Sequence, residues 1–267
     1  MKNKIYECNM AFLPPKIEYI DEELQRTEKW HNDRCGRFTG SKITDLMGCT
    51  PATNKMPWGR PEKLLDFSKK AKKYIFAKAK ERETNIVPRQ GDNMNFKYGR
   101  KAEPLIIKRL MKKNKLKFVE QPYVPINDYL GASPDGALIG TISDDIGFEA
   151  KAAMNWETYY ERTEIDMDSK HIDFWQVQTE MLALKVNKLY YVTSYPVNSA
   201  WDFINAEDED ADKMIKGIKN IVVHASEIHQ EAILQRAEIA DNAIKMFLST
   251  DMSMALCLQE CCSNYKF

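Results

Sequence analysis

The chain has 267 residues, 43% of them hydrophobic and 29% charged, which suffices for a sizeable buried core. Its 39 basic and 39 acidic side chains cancel, which excludes a general polyelectrolyte affinity for nucleic acid; any DNA path must come from local clusters of Lys and Arg. No apolar run approaches the ~18 residues of a membrane span, and the start, Met1 to Cys8, lacks the apolar stretch of a secretory signal. The six cysteines form no even framework, so reduced thiols in an intracellular protein are expected.

In chain order, residues 1–20 read as an extended lead-in with Pro14-Pro15. Residues 21–33 read as a helix whose acidic start, Asp21, Glu22 and Glu23, suits the positive end of the helix dipole. Ser41 is placed to cap a short helix over 42–47 that stops near Gly48. A loop over 51–61 leads to Lys-rich helical sequence over 62–83, with Phe67, Tyr74 and Phe76 directed to the core. The next helix covers 92–113. Segments 118–125 and 130–132 are extended, and 137–142 with 146–152 form a hairpin turning at Ser143-Asp144-Asp145.

Residues 155–162 and 169–184 are helical in pattern. Residues 188–194, Lys-Leu-Tyr-Tyr-Val-Thr-Ser, are an aromatic and β-branched strand, and 201–205 a shorter one. The stretch 207–249 has helical period throughout, its acidic run Glu207, Asp208, Glu209, Asp210 and Asp212 at a helix start. The order implies an α/β domain with a mixed central β-sheet flanked by helices, and no internal repeat.

The most informative stretch is Ser133-Pro134-Asp135-Gly136, followed by Glu149-Ala150-Lys151. On a strand Glu149 and Lys151 point to the same face. Two carboxylates and one ammonium at one edge of a small sheet suit a hard divalent cation, with the lysine polarising a water or a phosphate oxygen. That is the chemistry of phosphodiester hydrolysis. Alone, the triplet also suits an ordinary turn aspartate beside solvated strand neighbours.

The flanks add specificity. Trp30-His31-Asn32-Asp33-Arg34-Cys35-Gly36 with Thr39-Gly40-Ser41 resembles the N-terminal motif of the YqaJ-type viral recombinases, the family of phage lambda exonuclease within the PD-(D/E)xK nucleases. Tyr98-Gly99-Arg100-Lys101-Ala102-Glu103 resembles its helical glutamate motif, 131–136 and 147–151 its metal-binding motifs, and Phe174-Trp175-Gln176-Val177-Gln178 its glutamine motif. The matches stand in family order over residues 30–195, and the tail beyond about 205 carries none.

The resemblance implies a restriction-endonuclease-like core in a single nuclease domain over 1–267, with the motifs in about 30–205 and a C-terminal helical extension over about 206–267. It implies a Mg²⁺-dependent exonuclease, with Mn²⁺ as a substitute, degrading one strand of linear duplex DNA 5′→3′ to leave 3′ overhangs for recombination. The alternatives are an endonuclease on the same core and a non-catalytic DNA-binding protein. A homo-oligomeric ring, a single-strand annealing protein as partner, and a phage or viral source acting in the host cytoplasm or nucleus are further implications.

On this reading Asp135, Glu149, the Ala150 carbonyl and Glu103 hold metal. Lys151 orients or helps deprotonate the attacking water, a true base role requiring its pKa to fall. Gln176 positions Lys151 or the water, and Gln178 faces elsewhere on the helix. Arg34 and Ser41 form a 5′-phosphate pocket, although alone they suit a surface ion pair and an empty cap.

Two basic clusters are candidates for DNA contact: the lysines between Lys69 and Lys80, and Lys108, Arg109, Lys112, Lys113, Lys115 and Lys117, favoured by closeness to Glu103. For Cys257, Cys261 and Cys262, the adjacency of Cys261 and Cys262 and the want of an evident fourth ligand at suitable spacing argue against an iron–sulfur cluster. His31 is expected to pack beside Trp30 and not to pair with His171 on a metal. Leu256, Cys257 and Leu258 form a candidate interface patch.

Overall fold

The computed structural model describes residues 25–88, 91, 93–114, 118–119, 121–138 and 146–266. The lead-in over 1–20, the acidic residues 21–23, Cys8, Lys115, Lys117 and the turn at 143–145 lie outside them.

Helix α1 (Glu28–Asp33) is capped by Thr27, whose side chain accepts from the Trp30 N–H. Strand β1 (Phe38–Thr39) runs into a 3₁₀ turn (Gly40–Lys42) and then α2 (Ile43–Leu46). The lysine-rich segment is two helices, α3 (Pro61–Leu64) and α4 (Lys69–Thr84), separated where Ser68 caps the second through the Ala71 N–H. Helix α5 (Met94–Asn114) carries Glu103. Strands β2 (Phe118–Val119), β3 (Val124–Pro125), β4 (Leu130–Ala132), β5 (Gly136–Leu138) and β6 (Ile146–Ala152) follow. Then come α6 (Trp156–Thr163), α7 (Phe174–Leu184), β7 (Lys188–Ser194), α8 (Ala200–Asn205), α9 (Asp208–Met214), β8 (Ile218–His224), α10 (Glu227–Ser249) and α11 (Met254–Asn264).

The main sheet has the order β2-β5-β6-β7-β8. It is mixed: β6 and β7 run parallel, and the other neighbours are antiparallel. A smaller sheet, β1-β4-β3, lies beside it. Strand β6 is central and alternates between two helical layers. Phe148 and Ala150 are fully buried in a cluster with Tyr98, Ala102 and Ile106 of α5 and Phe203 of α8. Gly147 faces the other way, where an added Cβ would meet the Leu184 side chain of α7 at 3.0 Å and that of Leu189 at 3.2 Å, a tight approach that those side chains would have to shift to accommodate. Residues 149 and 151 share that second face with α7.

Three expectations fail. Residues 201–205 are not a strand: Ser199 caps them as α8, accepting from the Asp202 N–H, with Phe203 fully buried and Ile204 packed against the same core. The stretch 207–249 is not all helix, because β8 interrupts it and adds to β7 over seven residue pairs; pairing outweighs the helical pattern that Lys219 and Asn220 suggest. The C-terminal extension packs into the fold. The apolar side of α10, including Ile233, Ala237, Ala240 and Ile244, joins Ile43, Leu64, Ile75 and Trp175 in one core. Finally, Cys257 and Leu258 are buried in that core, leaving Leu256 alone exposed, so there is no three-residue patch.

Arg236 of α10 pins the tail. It is fully buried and has no carboxylate partner among the described residues. Its guanidinium donates to the carbonyls of Leu46 (2.7 Å), Gly48 (2.7 Å), Asp66 (2.7 Å), Leu64 (3.2 Å) and Lys63, and stacks over Phe67. These carbonyls lie at the ends of α2 and α3, where unpaired C=O groups carry partial negative charge.

Candidate active site

The antiparallel pairing of Gly136 with Phe148 brings Asp135, at the mouth of β5, alongside the centre of β6. Asp135 Oδ2 accepts from the Ala150 N–H at 2.7 Å. Glu149 is 1% exposed, and its Oε1 accepts from both Lys151 Nζ and Gln176 Nε2, the latter at 2.6 Å. Its Oε2 is buried without a partner. Gln176 Nε2 also donates to Glu180 Oε1 at 2.7 Å, and Glu180 Oε2 is likewise buried and unpartnered.

The electrostatics follow from this crowding. Burial, then Glu149, then Glu103 push the Asp135 carboxyl well above its ordinary value. Burial and Glu180 do the same to Glu149. Burial pushes Glu180 up to about 8. Burial pulls Lys151 down, but Glu149, Glu103, Asp135 and Asp173 outweigh it and hold its ammonium well above the usual lysine range. Among these carboxyl groups Lys151 stands as an ammonium, suited to orienting and charge stabilisation; a base role would need the positive charge of a nearby metal ion to lower its pKa.

One buried ammonium faces the carboxyl groups of Asp135, Glu149, Glu180 and Glu103. Ionising them together demands further positive charge, and oxygen donors with unpartnered lone pairs are the donors hard divalent cations take. The residues fit such an ion, although no three His, Cys, Asp or Glu among the described residues are already gathered around one point.

Glu180 is the residue sequence reading missed. Its signal was present, since Gln176 and Glu180 are four apart on one helix and must share a face. Asp173 was also missed. It accepts from Arg162 Nε at 3.1 Å and from the Tyr191 hydroxyl at 2.5 Å. Burial opposes its charge, but Arg162 and Lys151 hold its pKa below the ordinary aspartate value. Gln178, as expected, turns away and bonds the His224 carbonyl and the Ser226 N–H.

Arg34 lies with its guanidinium 3.8 Å from the centre of the Trp30 ring, and NH2 reaches Ser41 Oγ at 3.3 Å. Trp30 Nε1 in turn donates to Ser133 Oγ at 2.9 Å, which ties the N-terminal motif to the Asp135 turn. Arg34 has no ion pair among the described residues. Burial lowers its pKa from the ordinary arginine value, against weaker support from Tyr74, Tyr123 and Glu81. A half-buried cation with no counter-ion suits an anion. Ser41, however, caps no α-helix: it sits inside the 3₁₀ turn, and α2 has no side-chain cap.

The loop that carries Arg34 is clamped. Glu81 Oε2 accepts from the Gly36 N–H at 2.9 Å, and Arg82 Nε donates to the Gly36 carbonyl at 2.8 Å. Gly36 has φ +67°, and a Cβ there would strike Arg82 at 2.4 Å, so only glycine fits.

Arg34, Ser41, Glu103, Asp135, Glu149, Lys151 and Gln176 all line one cleft of about 1740 Å³. Its basic wall comes from Lys42, Lys70, Lys73, Lys78 and Arg100. Of the cluster favoured for its closeness to Glu103, Lys108, Arg109 and Lys112 do not line the cleft, and Arg109 is committed to Asp212 at 2.6 Å. The face of α4 is not simply solvated either. Lys78 is buried against Glu81 at 2.7 Å, whereas Phe76, expected inside, is 42% exposed beside Phe247. His31 packs edge-on to Trp30 as expected.

With this geometry in view, the comparisons decide the family. The family model of the YqaJ-like viral recombinase domain matches residues 29–184, more than half of the chain. The chain belongs to the YqaJ-like viral recombinase family. The alkaline exonuclease LHK-Exo from Laribacter hongkongensis superposes with TM-score 0.60 at 18% identity, over 84% of this chain and 95% of that one. Its complex with dAMP gives TM-score 0.60 at 17% identity over the same shares. A phage related exonuclease from Haemophilus somnus 129PT gives 0.59 at 14% identity, over 81% and 96%. The fold of this YqaJ-like chain is thus that of phage-type alkaline exonucleases. No curated protein matches it in sequence. No helix among the described residues is long and apolar enough to cross a membrane.

Proposed function

We propose that the protein is a Mg²⁺-dependent exonuclease that degrades one strand of linear duplex DNA 5′→3′ and leaves a 3′ overhang for recombination. The observation that carries this reading is the sharing of one cleft by the Asp135–Glu149–Lys151 group and the Arg34–Ser41 pair. A hydrolytic centre alone would serve an endonuclease. A phosphate-binding arginine in the same cleft registers the scissile bond against a strand end.

Asp135, Glu149, the Ala150 carbonyl and Glu103 would hold Mg²⁺, or Mn²⁺ in its place, and the ion would supply Lewis acidity at the scissile phosphate. The chain's own groups do the rest. Lys151 offsets the negative charge that grows on the phosphoryl oxygens, an effect amplified because the site is buried. Gln176, held by Glu149 and Glu180, orients the water. Water oxygen bonds to phosphorus, the P–O3′ bond breaks, the water loses a proton to solvent and O3′ gains one. The shortened strand begins with a fresh 5′-phosphate, which Arg34 and Ser41 can bind for the next step. Lys70 and Lys73, on the cleft wall, suit the backbone of the duplex. A ring of subunits around the DNA and a single-strand annealing protein to receive the overhang complete the proposal.

The test is digestion of 5′-phosphorylated linear duplex beside a covalently closed circle, in Mg²⁺, with Lys151→Ala as control. Loss of the linear DNA alone, abolished by the variant, supports the reading. Cutting of the circle makes the protein an endonuclease, and DNA binding without cleavage makes it a scaffold.

A further inference from the structure

Gln176 makes two hydrogen bonds through one atom. Its Nε2 donates to Glu149 Oε1 at 2.6 Å and to Glu180 Oε1 at 2.7 Å. Both acceptors are carboxylates, each 1% exposed. The NH₂ end serves both oxygens whenever at least one of the two groups is ionised, because a flipped amide would set its oxygen against that carboxylate. Its two protons are thereby used, one for each carboxylate. The carbonyl end, Oε1, has no partner among the described residues and is not among the buried unpartnered atoms, while Gln176 itself lines the cleft. The atom left facing the reaction space is therefore a hydrogen-bond acceptor.

We propose that Glu180 is a positioning residue that, together with Glu149, locks the Gln176 amide with its carbonyl toward the cleft, where it accepts a hydrogen bond from the attacking water. An acceptor there directs one water proton away from the phosphorus and leaves a lone pair aimed at it. The flipped amide would offer a donor instead and would turn its own oxygen onto two carboxylates. Glu149 alone leaves the amide free to swing about a single hydrogen bond; the second carboxylate, one helical turn along α7, makes a fork that fixes the plane. This role rests on the hydrolytic reading given above, and the readouts below separate the two.

The first readout needs neither catalysis nor a variant. In the full-length protein the two Gln176 side-chain amide protons, followed by ¹⁵N NMR, should exchange with solvent much more slowly than those of an exposed amide. Rapid exchange of either proton in the folded wild type overturns the lock, whether or not the protein cleaves DNA. The second is a double-mutant cycle of Glu180→Gln and Gln176→Leu on linear duplex. Glu180→Gln should lower kcat roughly tenfold with KM for DNA ends unchanged, since a loosened catalytic group costs rate more than binding. In the Gln176→Leu background it should cost nothing further. An equal loss in both backgrounds, or a loss of Mg²⁺ affinity by calorimetry with the amide protons still protected, would overturn the proposal by making Glu180 an independent support or a metal ligand. Should wild type fail to cleave DNA, the hydrolytic reading falls while the exchange result still stands or falls alone.

Discussion

Replacing Arg34 by alanine tests end recognition most sharply. The guanidinium is stacked on Trp30 at 3.8 Å and steadied by Ser41 at 3.3 Å, with no carboxylate to neutralise it. Truncation therefore leaves no buried anion stranded, and the fold should tolerate it. What is lost is a charge-assisted contact with a phosphate, worth roughly 1.5–3 kcal/mol, or about 10- to 150-fold. That loss should appear only for ends that carry a phosphate. The assay compares kcat/KM on linear duplexes with 5′-phosphate and 5′-hydroxyl ends. Wild type should favour the phosphorylated end by about that factor, and Arg34→Ala should bring the two together by slowing only the phosphorylated substrate. Arg34→Lys should recover part of the preference, because a lysine keeps the charge but not the planar fork that lies on Trp30. An Arg34→Ala enzyme that slows equally on both ends, or keeps the preference, would refute the assignment of this arginine to the terminal phosphate.

Three further outcomes follow from the same contacts. Asp135→Asn should abolish calorimetric binding of Mg²⁺ while leaving the melting temperature of the metal-free protein equal or higher, because Asp135 is buried among like charges. In metal-free buffer stability should fall as pH rises from about 4.5 towards 8: Glu180 is pushed up to about 8, so the folded state binds the extra proton and loses that advantage as pH climbs. Thermal melts should show this decline, and Glu180→Gln should make it shallower, the remainder coming from Asp135 and Glu149, which are raised in the same direction. Arg236→Met should cost about 3–5 kcal/mol in denaturant unfolding, since it strands buried carbonyls at the ends of two helices; a cost below about 1 kcal/mol would mean that water replaces the guanidinium without loss.

The parts of the fold that could be read from sequence are those in which local pattern and tertiary role agree. Strand β7 alternates Leu189 and Tyr191 toward α7 with Tyr190 and Val192 toward α5, and its bounds are those its composition predicts. Strand β8 was hidden because its identity comes from β7: Lys219, Asn220 and an exposed Val222 weaken the apolar alternation, and an edge strand needs only one good neighbour. Helix α8 was misread because Trp201 and Phe203 look like one strand face, whereas the Ser199 cap sets a helix that exposes Trp201.

In the site, Asp135, Glu149 and Lys151 were legible because the chemistry of a cation and a phosphate restricts their types and spacing. Glu180 and Asp173 were harder to read: the four-residue spacing ties Glu180 to Gln176, but carboxylates on or beside a helix ordinarily mark a solvated face, and the packing of α7 against β6 is what buries them. Arg236 follows the same logic: an arginine on a long charged helix reads as surface until the helix ends it holds are seen.

The most direct measurement is the polarity of release from linear duplex DNA labelled at the 5′ end in one sample and at the 3′ end in another, in Mg²⁺. The account predicts immediate release of the 5′ label as a mononucleotide, with the 3′ label retained on a long single strand. Early release of the 3′ label, or label leaving in internal fragments, would contradict it.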